Sequence, residues 1–348
     1  MAQLLTLPCG DRSALSESDK ATTRLGAACK RSHTFCALIS GSKVLAAFSH
    51  NATPYLSIII PVYNRPTALE CCLRSIAAQV EPPAAEIIVV DDGSDTPCTA
   101  QQPVETPFPT RVVRQGHSGI PTARNAGVRV ATAPNLLFID SDCVLDRNCL
   151  RRLEATMSRL TVDTVFQLRI EGTSSSITGL AEHCRLCSLQ ARKLTTDGHI
   201  RWLDTAAFAI RRTGCLPGEV FDTRASRGSD SVLLARLMQD NRLPAYVSDA
   251  YVQHCVCLSI AGYLAKALRS SVAESASRDI IQAVGTPLTS PLSARLRSIP
   301  DLFAYAPAKR TGVAVVCIVL VRYALQAAGE LLSRRGSTFS RDRGRLSP

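Results

Sequence analysis

Leu136-Leu137-Phe138-Ile139-Asp140-Ser141-Asp142 is an apolar run that stops in two carboxylates one residue apart. Four large apolar residues in succession, bounded by turn formers, predict a strand buried on both faces, as in a parallel α/β sheet. Such sheets bind ligands beyond the carboxyl ends of their strands. Residues i and i+2 of an extended segment point the same way, so Asp140 and Asp142 share a side. Their charges repel unless a cation or a donor lies between them, and a hard divalent ion carrying a phosphate suits such a pair. An acidic turn that caps a helix starting near Asp146 accounts for the same residues, so the flanking chain has to separate the two readings.

Upstream, the run Leu56 to Asn64 is rich in β-branched residues and predicts a strand. Arg65-Pro66 then opens a helix, with proline in the first turn where no N–H is needed. Leu69, Cys72, Leu73 and Ile76 follow at helical spacing. A second strand, Glu86 to Val90, ends in Asp91-Asp92-Gly93-Ser94-Asp95, a third is expected over Thr110 to Arg114, and a helix over Ser118 to Ala131. This alternation predicts a mostly parallel sheet with helices on both faces. Downstream we expect a helix to about Leu160, a strand over Thr164 to Ile170 and a helix over Ile177 to Lys193. Strand and loop over Trp202 to Ile210, an amphipathic helix over Asp230 to Asn241 and a strand ending at His254 complete the pattern.

With 348 residues, 46% hydrophobic and 20% charged, the chain can build one large α/β domain with appendages or two small ones. A net charge of +11 suits phosphate-bearing or anionic-membrane partners. An aromatic content of 5% supplies no stacking surface for single-stranded nucleic acid, so no nucleic-acid partner is expected. The 14 cysteines fall mostly in apolar or helical stretches (Cys71, Cys72, Cys98, Cys143, Cys149, Cys215, Cys317) and read as small buried hydrophobes in a reducing cytosol. His183-Cys184-x-x-Cys187 and His254-Cys255-x-Cys257 lack the two-pair spacing of a structural zinc site and read as packing residues.

Residues 1–53 show no periodicity, mix acids and bases, lack a secretory signal pattern, and are expected to be a poorly ordered extension. Residues 54–258 form the predicted α/β domain, 259–333 a helical region, and 334–348 a basic disordered tail. Gly312 to Val321 is apolar for ten residues before Arg322. A spanning helix needs about 20, so a buried or interfacial helix is expected there. The tail arginines Arg334, Arg335, Arg341, Arg343 and Arg345 suit peripheral contact with an anionic membrane, and equally a solvated tail.

The first strand-to-helix turn, Pro61-Val62-Tyr63-Asn64-Arg65-Pro66, has no glycine, which excludes a dinucleotide-binding Gly-x-Gly-x-x-Gly turn. No Gly-x-x-x-x-Gly-Lys-Ser/Thr loop occurs either, which removes the P-loop nucleotidases. Phosphates must then be held elsewhere, and the Asp140/Asp142 pair is the natural place.

Ile58-Ile59-Ile60-Pro61-Val62-Tyr63-Asn64, Val89-Val90-Asp91-Asp92-Gly93-Ser94, Thr122-Ala123-Arg124-Asn125-Ala126-Gly127 and Phe138-Ile139-Asp140-Ser141-Asp142 follow one another in that order. Together they resemble the ordered motifs of family-2 glycosyltransferases with the GT-A fold, and the wider similarity runs from about Tyr55 to His254. The resemblance implies a GT-A type, Rossmann-like, mostly parallel sheet flanked by helices, with a C-terminal helical extension. It implies that Asp92 accepts hydrogen bonds from a nucleotide base, and that Pro61 to Tyr63 line the base pocket. Arg124 would lie by the base or diphosphate, Asp140 by the ribose or metal, and Asp142 on a divalent Mn or Mg ion that bridges the diphosphate. Family members usually carry a Glu-Asp pair at a helix start after a glycine, the aspartate being the base of inverting enzymes. In Arg227-Gly228-Ser229-Asp230, Asp230 matches and is expected to be the catalytic base, with helix N-capping as its alternative, and Ser229 departs, which puts acceptor binding in question. His254 resembles a third metal ligand, and a core histidine fits as well. The Gln-x-x-Arg-Trp motif of the processive synthases is missing, the only tryptophan being Trp202.

The resulting expectation is an inverting, metal-dependent transfer of a single sugar from a nucleoside-diphosphate sugar to an acceptor hydroxyl, in the cytoplasm or peripherally at the membrane's cytoplasmic face. The alternative is a non-catalytic nucleotide-sugar-binding or membrane-surface protein that keeps the fold. A nucleotidyltransferase would need a glycine-rich basic loop after the first strand, which the sequence lacks.

Overall fold

The computed structural model describes residues 53–98, 104–173, 176–214, 219–225, 227–255, 258–276, 280 and 292–343. The N-terminal extension expected over 1–53, apart from its last residue, lies outside the described residues, as do Cys215, Cys257 and residues 344–348 of the tail. The strands are β1 (Leu56–Val62), β2 (Ala85–Asp91), β3 (Thr110–Arg114), β4 (Asn135–Ile139), β5 (Cys143–Leu145), β6 (Val165–Gly172), β7 (Ala207–Arg211) and β8 (Ala245–His254). They form one sheet in the order β3-β2-β1-β4-β7-β6-β8-β5. The helices are α1 (Pro66–Ala77), α2 (Ile120–Val130), α3 (Cys149–Arg159), α4 (Ile177–Lys193), α5 (Ser229–Gln239), α6 (Ile260–Ala276), α7 (Leu292–Leu296), α8 (Ile299–Tyr305) and α9 (Lys309–Arg343).

The half of the sheet holding β3, β2, β1 and β4 is parallel, as the alternating strand and helix pattern predicts. Its apolar runs are buried on both faces because odd and even residues serve different cores. Ile58, Ile60, Ile87, Val89, Leu137 and Ile139 pack with Leu69, Cys72 and Leu73 of α1 and Leu150 and Leu153 of α3. Ile59, Ile88, Val90, Leu136 and Phe138 pack on the opposite face with Ala123 and Ala126 of α2 and Leu233 and Leu237 of α5. Such two-sided burial requires period-2 segregation along each strand. Phe138 stacks on Phe208 at 4.8 Å and meets Phe221 edge-on at 5.1 Å, which fastens β7 and its following loop to this second core.

The second half departs from the expected direction. β7 runs antiparallel to both β4 and β6, and β5 antiparallel to β8, while β6 and β8 are parallel with a register shift after Leu168. The helix expected near Asp146 begins at Cys149, and the short strand β5 lies between it and Asp142. Of the cysteines expected to be buried, Cys72, Cys98, Cys143 and Cys149 are, whereas Cys317 is exposed.

The C-terminal helices close over α4. Leu180, Ala181 and Cys184 of α4 pack with Leu302 of α8 and Val315, Val316, Val319 and Tyr323 of α9. α9 continues through Arg322, so the ten-residue apolar run is part of a helix whose segment Lys309–Leu332, 24 residues at mean hydropathy 1.8, is long and apolar enough to cross a membrane. The sequence reading took Arg322 as the end of the apolar segment. The structure shows why it is not: its guanidinium turns into the protein, 3.9 Å from Glu182 of α4 and 4.8 Å above the Tyr263 ring.

Candidate active site

The carboxyl ends of β1, β2 and β4 converge, as the topology requires of a ligand site in a parallel sheet. The loop after β1 is latched to the loop after β2. Asn64, at φ +51°, accepts from the Asp95 N–H at 2.8 Å and donates to its carboxylate at 3.1 Å, and the Asn64 N–H donates to Ser94 Oγ at 2.9 Å. Left-handed backbone is the conformation asparagine tolerates better than most residues, which suits the Tyr63-Asn64 turn. Pro61 lies in β1 beyond Ile59↔Phe138, the last pair between β1 and β4, so its missing N–H costs that ladder nothing.

Asp91 and Asp92 at the end of β2 do different work. Asp91 is fully buried and accepts from the Ser94 N–H (2.9 Å), the Cys98 N–H (3.0 Å) and Arg114 Nη1 (2.5 Å). Burial works against its charge, yet these donors hold its carboxyl below the usual range. Asp92 accepts the N–H groups of Ser118 and Gly119, each at 2.9 Å, and Gln115 Nε2 at 2.7 Å. It therefore fixes the loop that leads into α2. His117 of that loop places Nδ1 3.0 Å from Asp92 and stacks its ring on Tyr63 with centroids 4.1 Å apart. Tyr63 is 41% exposed, so the pair offers a flat aromatic surface beside Asp92. His117 has no role in the sequence reading.

A second group forms where β4 ends. The buried Arg124 donates Nη2 to Asp140 Oδ1 at 2.6 Å and to the Thr205 carbonyl at 3.3 Å, and lies over the Phe221 ring at 5.4 Å. Its Nε is buried without a hydrogen-bond partner among the described residues. Asn125 clamps the next segment, donating to the Phe221 carbonyl at 2.8 Å and accepting the Phe221 N–H at 3.0 Å. Asp142 accepts Arg65 Nη1 on Oδ2 at 2.5 Å and faces His254 Nε2 from Oδ1 at 3.5 Å. Burial alone would raise both carboxyls. It prevails at Asp140, where Asp142 and Asp204 add repulsion against the pull of Arg124. At Asp142 the His254 hydrogen bond and charge, together with Arg65 and Lys266, hold the carboxyl well below its ordinary range. The same contact raises His254 despite its burial. Asp204 and Lys266 thus belong to the electrostatic surroundings of this group, from the loop before β7 and from α6, and no local sequence pattern announces either.

A metal was expected on Asp140, Asp142 and His254. Among the described residues no group of three or more His, Cys, Asp or Glu side chains is arranged to hold one. Asp140 turns one carboxylate oxygen to Arg124. Asp142 and His254 do face one another, and a carboxylate with an imidazole fits a divalent ion that draws its other ligands from a diphosphate and water. His183 and Cys187, read from sequence as packing residues, meet at 3.7 Å on one face of α4.

Asp230 belongs to a third element, the first turn of α5, which starts after Gly228 at φ +79°. Its Oδ1 accepts the Ser231 N–H at 2.8 Å. Gly228, not Asp230, occupies the N-cap position, so the capping role weighed from sequence is not the one observed. The structure therefore brings together Arg124, Asp140, Asp142, His254 and Arg65 in one group and Tyr63, Asp92 and His117 in another, with Asp230 at the head of α5.

The family profile described as Glycosyl transferase family 2 matches residues 57–213. Glycosyltransferase AglE of Haloferax volcanii is 31% identical over 119 residues, covering 32% of this chain and 38% of that protein. Validoxylamine A glucosyltransferase of Streptomyces hygroscopicus subsp. limoneus is 39% identical over 99 residues, covering 27% of this chain and 21% of that protein. The mannosyltransferase PcManGT from Pyrobaculum calidifontis, solved in complex with GDP-Man and Mn2+, superposes with a TM-score of 0.48 at 16% identity, covering 90% of this chain and 94% of that one. The matches span well under half the length of the two curated relatives. All four sequence motifs lie inside the matched segment, three at strand ends and the Thr122 to Gly127 motif in α2, and residues 57–213 are thus similar to the domain described as Glycosyl transferase family 2.

Proposed function

We propose that the chain transfers a single sugar from a nucleoside-diphosphate sugar to an acceptor hydroxyl, with inversion at the anomeric carbon. The observation that carries this reading is the convergence of Asp140 and Asp142 with the cations Arg124 and Arg65 and the His254 imidazole at the end of β4. Acids surrounded by fixed cations suit a polyanionic ligand held through a shared ion. Asp142 and His254 would hold a divalent ion, Mn or Mg, which when bound neutralises charge developing on the departing diphosphate. Arg65, half-exposed at the mouth, and Lys266 stand where they can turn to phosphate oxygens. Tyr63 offers its ring face to the base, with Asp92 and His117 beside it. Asp230 accepts the proton of the attacking hydroxyl, and that oxygen bonds to the anomeric carbon as the bond to the diphosphate breaks. The names of the relatives, a glycosyltransferase and a glucosyltransferase, support a glycosyl donor.

The test is thermal unfolding of the purified chain against nucleoside diphosphates and their sugars, with and without manganese, followed by donor turnover. A manganese-dependent rise in Tm with one base family is expected, because a ligand that binds the native state stabilises it. The Asp142→Ala protein should lose that rise. The Asp230→Asn protein should keep it while donor consumption falls by about 10²-fold or more. A wild-type chain that binds donor and never consumes it would instead be the non-catalytic binding protein.

A further inference from the structure

The face of α9 that looks away from the protein has no role in the transfer reaction. Gly312, Val315, Val316, Val319, Tyr323 and Gly329 turn inward. Between them the helix presents Val313 (55% exposed), Val321 (47%), Leu331 and Leu332 (61% each), with the exposed Cys317 on the same side. Phe303 of α8, 43% exposed, lies against the backbone of Gly312 and extends the apolar surface at the helix start. Cations border it: Lys309, Arg310 and Arg297 are exposed at this end, and the sequence places Arg334 and Arg335 just past Leu332. An apolar stripe rimmed by lysine and arginine is the pattern of a helix that lies in a lipid interface.

We infer that α9 docks the protein onto an anionic bilayer, lying flat with its apolar stripe among the acyl chains and the opposite face still packed on α4, α6 and α8. The inward face explains why the helix lies flat instead of crossing, despite a length and hydropathy that permit crossing. Arg322, midway along the apolar segment, is held against Glu182 and Tyr263, and Tyr263 itself donates to Glu182 at 2.8 Å. Further along, Arg295 of α7 pairs with Glu330 at 2.5 Å, and Ser271 of α6 donates to the Gln326 carbonyl at 2.7 Å. Moving the helix into the bilayer would place Arg322 in hydrocarbon and leave Glu182 without it. Each such charge is costly at membrane depth, whereas an in-plane helix keeps every one of these pairs. The charge balance favours lipid over a second copy of the chain, since two faces rimmed by the same cations would repel.

The experiment is co-sedimentation of the full chain with extruded vesicles of phosphatidylcholine alone or mixed with phosphatidylglycerol. Binding to the mixed vesicles is expected, with release by alkaline carbonate and little binding to the neutral ones. Val321→Asp should abolish it. Lys309→Glu with Arg310→Glu, which leaves the apolar stripe intact, should weaken it by about tenfold or more, at roughly 1 kcal/mol per charge. Both variants should unfold at the wild-type temperature and keep the nucleotide-dependent Tm shift, so a failure here is separable from a failure of the transferase reading. The inference is overturned by wild-type protein that ignores anionic vesicles, by variants that bind undiminished, by carbonate-resistant insertion, or by a dimer in light scattering that Val321→Asp dissociates. If Val321→Asp does not fold, the charge-reversed pair decides alone.

Discussion

Arg65 and Asp142 meet at 2.5 Å, an arginine from the first turn-and-helix junction on the second acid of the Asp-x-Asp run. The contact seals β1's loop to β4's and gives Asp142 a cation that is 54% exposed and free to swing toward a phosphate. An exposed pair of this kind contributes up to about 1 kcal/mol, which corresponds to roughly a fivefold change in an equilibrium constant. Arg65→Ala is therefore expected to raise the donor KM by about fivefold and to leave the melting temperature nearly unchanged. Steady-state kinetics with varied donor decide it, and an unaltered KM removes Arg65 from donor binding.

Arg124 is the opposite case, a buried guanidinium whose partner is only 28% exposed. Removing one member of such a pair strands the other, a loss of about 3–5 kcal/mol when burial is complete. Because Asp140 retains some solvent, Arg124→Ala should cost about 2–3 kcal/mol. Urea denaturation measures it, and a loss below 1 kcal/mol would show that the pair contributes little to the fold.

Asp91 makes the fold acid-sensitive. Its carboxyl is held below the usual range by the Ser94 and Cys98 N–H groups and by Arg114. A group depressed in the native state binds protons more readily when unfolded, so its stabilisation is complete above the unfolded value near 3.9 and disappears as pH falls through the native one. The gap in stability between wild type and Asp91→Asn should accordingly be widest at neutral pH and shrink below about pH 4. Chemical denaturation at a series of pH values tests this; a gap that is constant with pH assigns the effect to shape instead of charge.

Gly127 sits where α2 crosses β1, and a methyl group built on it would lie 2.4 Å from Ile59 Cγ2. Both elements belong to one packed layer, so relief requires moving a helix against a strand. Gly127→Ala should destabilise by about 1–3 kcal/mol, and pairing it with Ile59→Val should recover part of the loss. Calorimetry of the single and double variants checks the coupling.

The parallel half of the sheet and its acids were legible because each signal is local. An apolar run ending in Asp140-Ser141-Asp142 states burial and strand end in seven letters, and α4 was visible over Ile177 to Lys193 because its apolar spacing is long enough to establish a period. β5 was not, since three residues cannot establish one. The reversal of β7 was hidden too, because alternation reports burial and is blind to direction. The surroundings of the site were the least legible. Asp204 and Lys266 reach it from segments 64 and 124 residues beyond Asp140 and Asp142 respectively, and only the fold brings them there. α9 was cut short at Arg322 because a charge in an apolar run reads as a break until its partner, Glu182, is known.

Glu182 takes two hydrogen bonds from Arg185 within α4, one from Tyr263 in α6, and lies beside Arg322 of α9. Burial pushes its carboxyl up, but the two arginines keep it ionised. This acid stands inside the segment that matches the family profile, while two of these three partners, Tyr263 and Arg322, come from beyond residue 213. The end of the family match is therefore not a seam along which the protein can be recombined. A chimera that takes its C-terminal helices from a relative must take α4 with them, because helix and acid are inherited as one piece.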